Sequence, residues 1–149
     1  AFISSSFASS EPNFFLYSYA VLPFKILSGL EKYIYSNTQG LIFFAGKGNG
    51  TFNSPIDLSG GGGPLDLVIN HFNQDNLLDV AVANSRSSSF SIIYRSATGK
   101  FRHPSLDYFV DGGSPIAIAS GDFNNDGLAD IAVSSDTKNT AEIYLQKRK

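Results

Sequence analysis

The stretch Gly121-Asp122-Phe123-Asn124-Asn125-Asp126-Gly127-Leu128-Ala129-Asp130 places oxygen-bearing side chains at alternate positions of a short loop. These side chains, at loop positions 1, 3, 5 and 9, belong to Asp122, Asn124, Asp126 and Asp130. A hard divalent cation takes such oxygen ligands, the residue at position 7, Leu128, can add its backbone carbonyl, and Gly127 permits a sharp turn. Because three carboxylates in one loop repel one another, a bound cation would remove an electrostatic cost. The pattern therefore predicts a calcium loop.

The flanks of this loop favour strands over helices. The segments 114–120 and 130–134 are short, apolar and partly β-branched, which is typical of strands. An EF-hand requires helices on both sides and a bidentate Glu at position 12, where this chain has Val133. The loop is therefore predicted to join two strands. The alternative is a polar Asx-type turn that holds no metal.

A repeat of about 50 residues determines the expected fold class. Residues 70–79 align with residues 121–130 at an offset of 51 positions, and the apolar segments that follow them align as well. Each unit divides into four short strands with tight turns, and such units are typical of propeller blades. In the second unit we expect strands at about 64–69, 78–83, 90–95 and 100–110, and in the third at about 115–120, 130–134 and 141–146. We expect the first strand of each unit to be buried on both faces, the second to be apolar as well with a less regular alternation, and the later, more polar strands to lie outside.

The N-terminal third is predicted to be a degenerate copy of the same unit. Residues 32–37 and 40–46 align with the second and third strands, residues 12–16 with the first, and residues 2–7 suggest an additional edge strand. The segment that would correspond to the metal loop lacks ligand-type side chains, so no metal is expected there. The prediction is one repeat-built domain over 1–149, with a degenerate blade at 1–52, a second repeat at 53–101 and a third at 102–149.

The chain resembles the VCBS and FG-GAP repeat families, which form propeller blades with calcium loops, as in integrin α-chains. The resemblance rests on residues 121–133 and on the Gly-x-Gly-Thr-Phe turn at 48–52. It implies an all-β fold: a β-propeller segment of about three four-stranded antiparallel blades, forming an incomplete ring or a fragment. It also implies Ca²⁺ as the cofactor, held by Asp122, Asn124, Asp126 and Asp130, with the carbonyl of Leu128 as the backbone ligand.

The second copy of the loop departs from the pattern at its first and sixth positions. His71 replaces the first Asp and Asn76 replaces the glycine; Asn tolerates a positive φ, whereas imidazole is a poor ligand for a hard cation. The remaining ligand-type residues of this weak second loop are Asn73, Asp75 and Asp79. We expect weak calcium binding there or none.

Composition excludes several classes of protein. The 149 residues carry a net charge of −2, contain no cysteine, and include no continuous apolar run long enough to span a membrane. There is accordingly no electrostatic case for nucleic acid, no disulfide framework and no predicted membrane span. The absence of methionine suggests a processed chain or a fragment.

No catalytic motif was found, and the chain is predicted not to be an enzyme. The predicted function is a calcium-binding repeat module for extracellular protein–protein binding or cell adhesion, with an unknown protein or glycan ligand. Self-association or further blades would be needed to close a ring. Calcium loops of modest charge suit extracellular calcium, and Asn49-Gly50-Thr51 is a glycosylation sequon. The alternatives are the propeller portion of a larger secreted hydrolase or lyase, and a lectin that uses Tyr94 and Tyr108.

Overall fold

A computed structural model describes residues 32–37, 40–45, 47, 51–58, 61–102 and 105–148. This part of the chain is all-β, apart from one 3₁₀ turn at Ser85–Ser87. The predicted strands at 12–16 and 2–7 lie outside the described residues, as do two of the three residues of the sequon. No helix in the described ranges is long and apolar enough to cross a membrane.

The described strands form three antiparallel sheets. Sheet 1 contains β1 (Lys32–Asn37), β2 (Gly40–Ala45) and β3 (Ile56–Asp57), in that order. Sheet 2 contains β4 (Pro64–Asn70), β5 (Asp79–Asn84), β6 (Ser89–Ile93) and β7 (Leu106–Phe109), also in chain order. Sheet 3 contains β8 (Pro115–Gly121), β9 (Asp130–Ser135) and β10 (Thr140–Tyr144), with β9 in the centre. The all-β prediction is confirmed, and the arrangement is consistent with a propeller fragment.

The sheets are offset from the sequence repeats by one strand. β3 pairs with β2 in sheet 1, and β7 pairs with β6 in sheet 2. The sequence boundaries at 52 and 101 therefore fall just before the last strand of each sheet. The predicted fourth strand at 100–110 is shorter in the structure, because Phe101 makes only an isolated bridge with Arg95 and regular pairing begins at Leu106.

Two apolar clusters join the three sheets. One lies between sheets 1 and 2 and contains Leu41, Phe43, Leu58, Ile69, Val80, Val82 and Ile93. The other lies between sheets 2 and 3 and contains Phe72, Ala81, Ala83, Phe90, Ile92, Val110, Ile118, Ile131 and Val133. Successive strand residues point to opposite faces, so sheet 2 gives alternate residues of β5 and β6 to each cluster. Sheet 2 is therefore the middle layer.

The predicted burial of the strands was wrong in two respects. β6, which was predicted to lie outside, is buried throughout, because it is a central strand of the middle sheet, as is the equally buried apolar strand β5. In β8, which was predicted to be buried on both faces, Ile116, Ala117 and Ala119 are exposed. β8 is an edge strand, and only one face of it contacts sheet 2. The prediction that β7 and β10 lie outside agrees with their exposure.

Candidate metal centre

The loop between β8 and β9 is closed by hydrogen bonds from its own backbone to its acidic side chains. Asp122 accepts from Asp126 N (3.0 Å) through Oδ1 and from Gly127 N (2.8 Å) through Oδ2. Asn124 Oδ1 also accepts from Asp126 N (3.1 Å), so the oxygens of positions 1 and 3 converge on one amide. Asn125 and Gly127 have positive φ values of 60° and 82°. These two residues let the chain turn sharply enough for that convergence.

Asp126 connects the loop side chains to one another. It accepts from Asn124 Nδ2 (3.0 Å) through Oδ2 and from Leu128 N (2.9 Å) through Oδ1. Its own carbonyl accepts from Arg148 Nη2 (2.7 Å), a contact that the sequence did not suggest. The structure thus brings Asp122, Asn124 and Asp126 together on an exposed turn.

Asp130 has a different role from the other predicted ligands. Its side chain is fully buried and accepts from Phe123 N (2.9 Å) and from Gln146 N (2.8 Å). One bond fixes the start of the loop, and the other holds the chain just after β10. Asp130 therefore anchors the loop to the sheet, and a cation would have to use a lone pair that these two bonds leave.

The loop between β4 and β5 repeats this bonding almost bond for bond. Asp75 accepts from Asn73 Nδ2 (2.8 Å) and Leu77 N (2.9 Å), and Asn73 Oδ1 accepts from Asp75 N (3.1 Å). Asp79 is fully buried and accepts from Phe72 N (3.0 Å) and Arg95 N (2.8 Å). The sequence predicted the repeat, and the structure shows that the repeat extends to individual hydrogen bonds.

The two loops differ at the first position. His71 Nδ1 lies 2.9 Å from the carbonyl oxygen of Leu77, and since a carbonyl can only accept, this nitrogen carries the proton. Leu77 is the equivalent of Leu128, whose carbonyl is the predicted backbone ligand in the third repeat. In the second loop the histidine therefore donates a hydrogen bond to the carbonyl oxygen that a cation would need as a ligand.

The burial of Asp79 alters the pKa of its carboxyl. Burial raises the pKa of the Asp79 carboxyl, although the amides of Arg95 and Phe72 act in the opposite direction. This buried group therefore carries a desolvation cost that the two amide hydrogen bonds offset only in part. A role as a hydrogen-bond acceptor explains why a carboxylate is placed there.

The donor chemistry of the β8–β9 loop fits calcium. All four predicted side chains offer oxygen, and three of them lie on one short turn. In the described part of the chain, however, no group of three or more His, Cys, Asp or Glu side chains is arranged to hold a metal ion. The carboxylates are turned toward backbone amides. Binding would accordingly require the loop oxygens to share or exchange these hydrogen bonds.

The two tyrosines considered for sugar binding pack against other side chains. Tyr108 stacks on Phe90 with ring centroids 4.9 Å apart and an interplanar angle of 10°. Tyr94 is half-buried and packs against the cluster between sheets 2 and 3. These positions agree with a packing role.

These observations define, over the described residues, a repeat-built all-β protein whose second and third repeats each carry an aspartate-anchored loop. Residues 71–133, which span both loops, match the family model described as an FG-GAP-like repeat. This part of the chain is therefore similar to an FG-GAP-like repeat, and the resemblance seen in the sequence is confirmed over these residues. No curated protein and no solved structure matches the chain significantly.

Proposed function

We propose that the chain is a non-catalytic calcium-binding module of propeller type that serves in extracellular protein–protein binding or cell adhesion. The FG-GAP-like repeat and the layered antiparallel sheets support a propeller-type repeat module. The observation that carries the calcium proposal is the convergence of Asp122 and Asn124 on the amide of Asp126. That convergence brings two side-chain oxygens to one point of the loop, which supports the proposal.

In this proposal the residues of the β8–β9 loop divide into ligands and an anchor. Asp122, Asn124 and Asp126 would hold the ion with the carbonyl of Leu128, and Asp130 would hold the loop on β9 and contribute its charge. When bound, calcium supplies a divalent charge that offsets the repulsion between the carboxylates. The chain itself provides the turn geometry at Asn125 and Gly127. The ion would stiffen the loop without taking part in a reaction.

The extracellular location rests on the strength of binding expected from such a loop. A site with few charged ligands, whose oxygens also serve the backbone, suits dissociation constants of about 10⁻⁴–10⁻³ M. Such a site fills at the calcium concentrations found outside cells. The binding partner in adhesion is a protein or glycan, and a glycan array distinguishes a lectin from a protein-binding module.

A calcium titration that follows the midpoint of thermal unfolding tests the proposal. We expect one equivalent to bind and to raise the midpoint, because a ligand that binds only the folded state stabilises it by about 2.7 kcal/mol at a hundredfold excess over Kd. Asp126→Ala should abolish the response. Asp75→Ala is the matched control, since it removes the equivalent carboxylate from the second loop, and it should leave the response unchanged.

Either of two results would contradict the calcium assignment. One is a folded sample whose midpoint does not change with calcium. The other is a response that Asp75→Ala removes and Asp126→Ala does not. Two bound equivalents would show that the His71–Asp79 loop binds as well.

A further inference from the structure

The outward face of sheet 3 is apolar and has no covering layer among the described residues. Ala119, Ala132 and Ile143 are direct cross-strand partners on this face. Ala117, Ser134 and Ala141 form the next row. None of these six residues carries a charge, Ile143 is 59% exposed, and Ala117, Ala119 and Ala141 are exposed as well. A contiguous uncharged sheet face of this kind is typical of a surface that meets another protein layer.

The repeat identifies what kind of layer this face is built to receive. At the offset of 51, the row Ala119, Ala132, Ile143 corresponds to the row Val68, Ala81, Ile92 of sheet 2, and these three are also direct cross-strand partners. Ala81 and Ile92 are buried, Val68 packs beside them, and they contact the apolar side chains of sheet 3. The exposed row of sheet 3 is thus the positional copy of a row that sheet 2 buries under a neighbouring sheet.

The opposite face of sheet 3 shows the other half of this contact. Ile118, Ile131 and Val133 are between 1% and 5% exposed and lie in the cluster shared with sheet 2. Their counterparts in sheet 2, which are Leu67, Val80 and Val82, lie in or against the cluster shared with sheet 1. In each contact, the face of one sheet that is equivalent to Ile118, Ile131 and Val133 packs against the face of its neighbour that is equivalent to Ala119, Ala132 and Ile143; each of these two is the unlike face of the other. The uncovered Ala119 face of sheet 3 therefore requires the unlike, Ile118-type face of a further sheet.

We propose that a second copy of this chain covers this face, packing its sheet 1 head to tail on sheet 3. In β2, Leu41 and Phe43 enter the cluster shared with sheet 2, so the alternate residues Ile42 and Phe44 belong to the other face of sheet 1. Ile42 and Phe44 make the β2 part of that face apolar, with Asp57 beside Ile42 at the β3 edge, and it is the unlike face that the contact requires. Two copies of the described part contain six sheets, a number within the range of about four to eight found in closed propellers. Head-to-tail contacts that close in this way give a dimer with two equivalent interfaces.

The mass of the chain in solution tests the proposal. Light scattering across protein concentrations from about 1 µM to about 100 µM should show a particle of twice the 16.0 kDa chain mass at the upper end. Ala119→Asp places a carboxylate within the contact, where it has no partner. We expect the dissociation constant of the dimer to rise by about a hundredfold.

A second variant and a control keep the result independent of folding. Ile143→Lys changes an exposed residue on the same face and should also weaken the dimer. Phe109→Lys is the matched control, because Phe109 is an exposed apolar residue (72%) on another edge strand, outside the proposed contact. The control should leave the dimer intact. Circular dichroism of each variant confirms that the sheets have formed.

The chain contains no cysteine, so a single Ile143→Cys variant reports the arrangement of the two copies. In head-to-tail packing the two introduced thiols lie far apart, and oxidation to a disulfide-linked dimer should be slow. Rapid oxidation would show that two copies of the same face meet and would contradict the arrangement. A monomer at every concentration, or a dimer that survives both Ala119→Asp and Ile143→Lys, would overturn the proposal.

Discussion

Removing the Asp79 side chain should be among the most destabilising single changes in the second repeat. The carboxylate is fully buried and accepts hydrogen bonds from Phe72 N at 3.0 Å and Arg95 N at 2.8 Å. Asp79→Ala leaves both amides without this acceptor, and an unsatisfied buried donor costs about 1–3 kcal/mol. The substitution also relieves the desolvation cost that raises the pKa of this carboxyl. We therefore expect a net loss of about 2–4 kcal/mol in the free energy of unfolding.

Urea denaturation followed by circular dichroism measures this loss. Asp75→Ala is the matched control, because Asp75 lies in the same loop but is exposed. Its amide partner can turn to water, so we expect a loss of about 1 kcal/mol or less. A domain typically has only about 5–15 kcal/mol of stability in total, so the two variants should differ clearly in their denaturation midpoints. Equal losses for the two variants would refute the argument that Asp79 is an internal anchor.

Three further predictions concern the third repeat and the histidine of the second loop. Hydrogen bonds from Tyr144 Oη and from the amide of Gly112 lower the pKa of the Glu142 carboxyl. The contribution of Glu142 to stability is therefore present above pH 4.5 and is lost as the pH falls through the lowered pKa. In acid denaturation, Glu142→Gln should lose less stability over this pH range than the unchanged protein. Gly112→Ala should reduce the thermal midpoint more than Gly127→Ala, because its Cβ would clash with the side chains of Thr140 and Ser135, whereas Gly127→Ala has open space and costs only the strain of its positive φ, about 1–2 kcal/mol. His71→Asp restores the missing carboxylate, and calorimetry should then show a second equivalent of bound calcium.

The repeat was the part of the fold that the sequence allowed to be predicted. The offset of 51 residues placed β4, β5, β8 and β9 to within two residues at each end, because the loop between the strands repeats both its polar residues and its spacing. The register of each pair follows from this alignment. The local sequence pattern was sufficient to place each pair of strands, because the two strands and the loop that joins them lie within about 20 consecutive residues.

The burial of individual strands could not be predicted in the same way. β6 contains Ser89 and Ser91, which suggested an outer strand, yet Ser91 is fully buried. Its hydroxyl accepts from Asn84 Nδ2 (2.7 Å) and donates to Asp107 Oδ1 (2.5 Å). A polar residue is tolerated inside when its hydrogen bonds are satisfied. These partners are separated along the chain, so no local pattern indicates them.

The candidate site was predicted in its residues but not in its division of roles. The sequence grouped Asp130 with Asp122 and Asp126 as ligands, because all three have a carboxylate at a suitable spacing. The structure places Asp130 beneath the loop, where it binds the amide of Gln146, a residue that is 16 positions away. The recurrence of an aspartate at the first position of both β5 and β9 is the signal that indicates this anchoring role.

The anchoring aspartates also determine how each hairpin behaves at its open end. A β-hairpin is held by its turn at one end and normally frays at the other, where the two strands separate into solvent. Asp79 and Asp130 bind the amides that follow β6 and β10, so each hairpin is fastened at the end opposite its turn. Fraying then has to break a partly buried hydrogen bond to a carboxylate first. The amides of Arg95 and Gln146 should therefore exchange with deuterium as slowly as those in the middle of their strands.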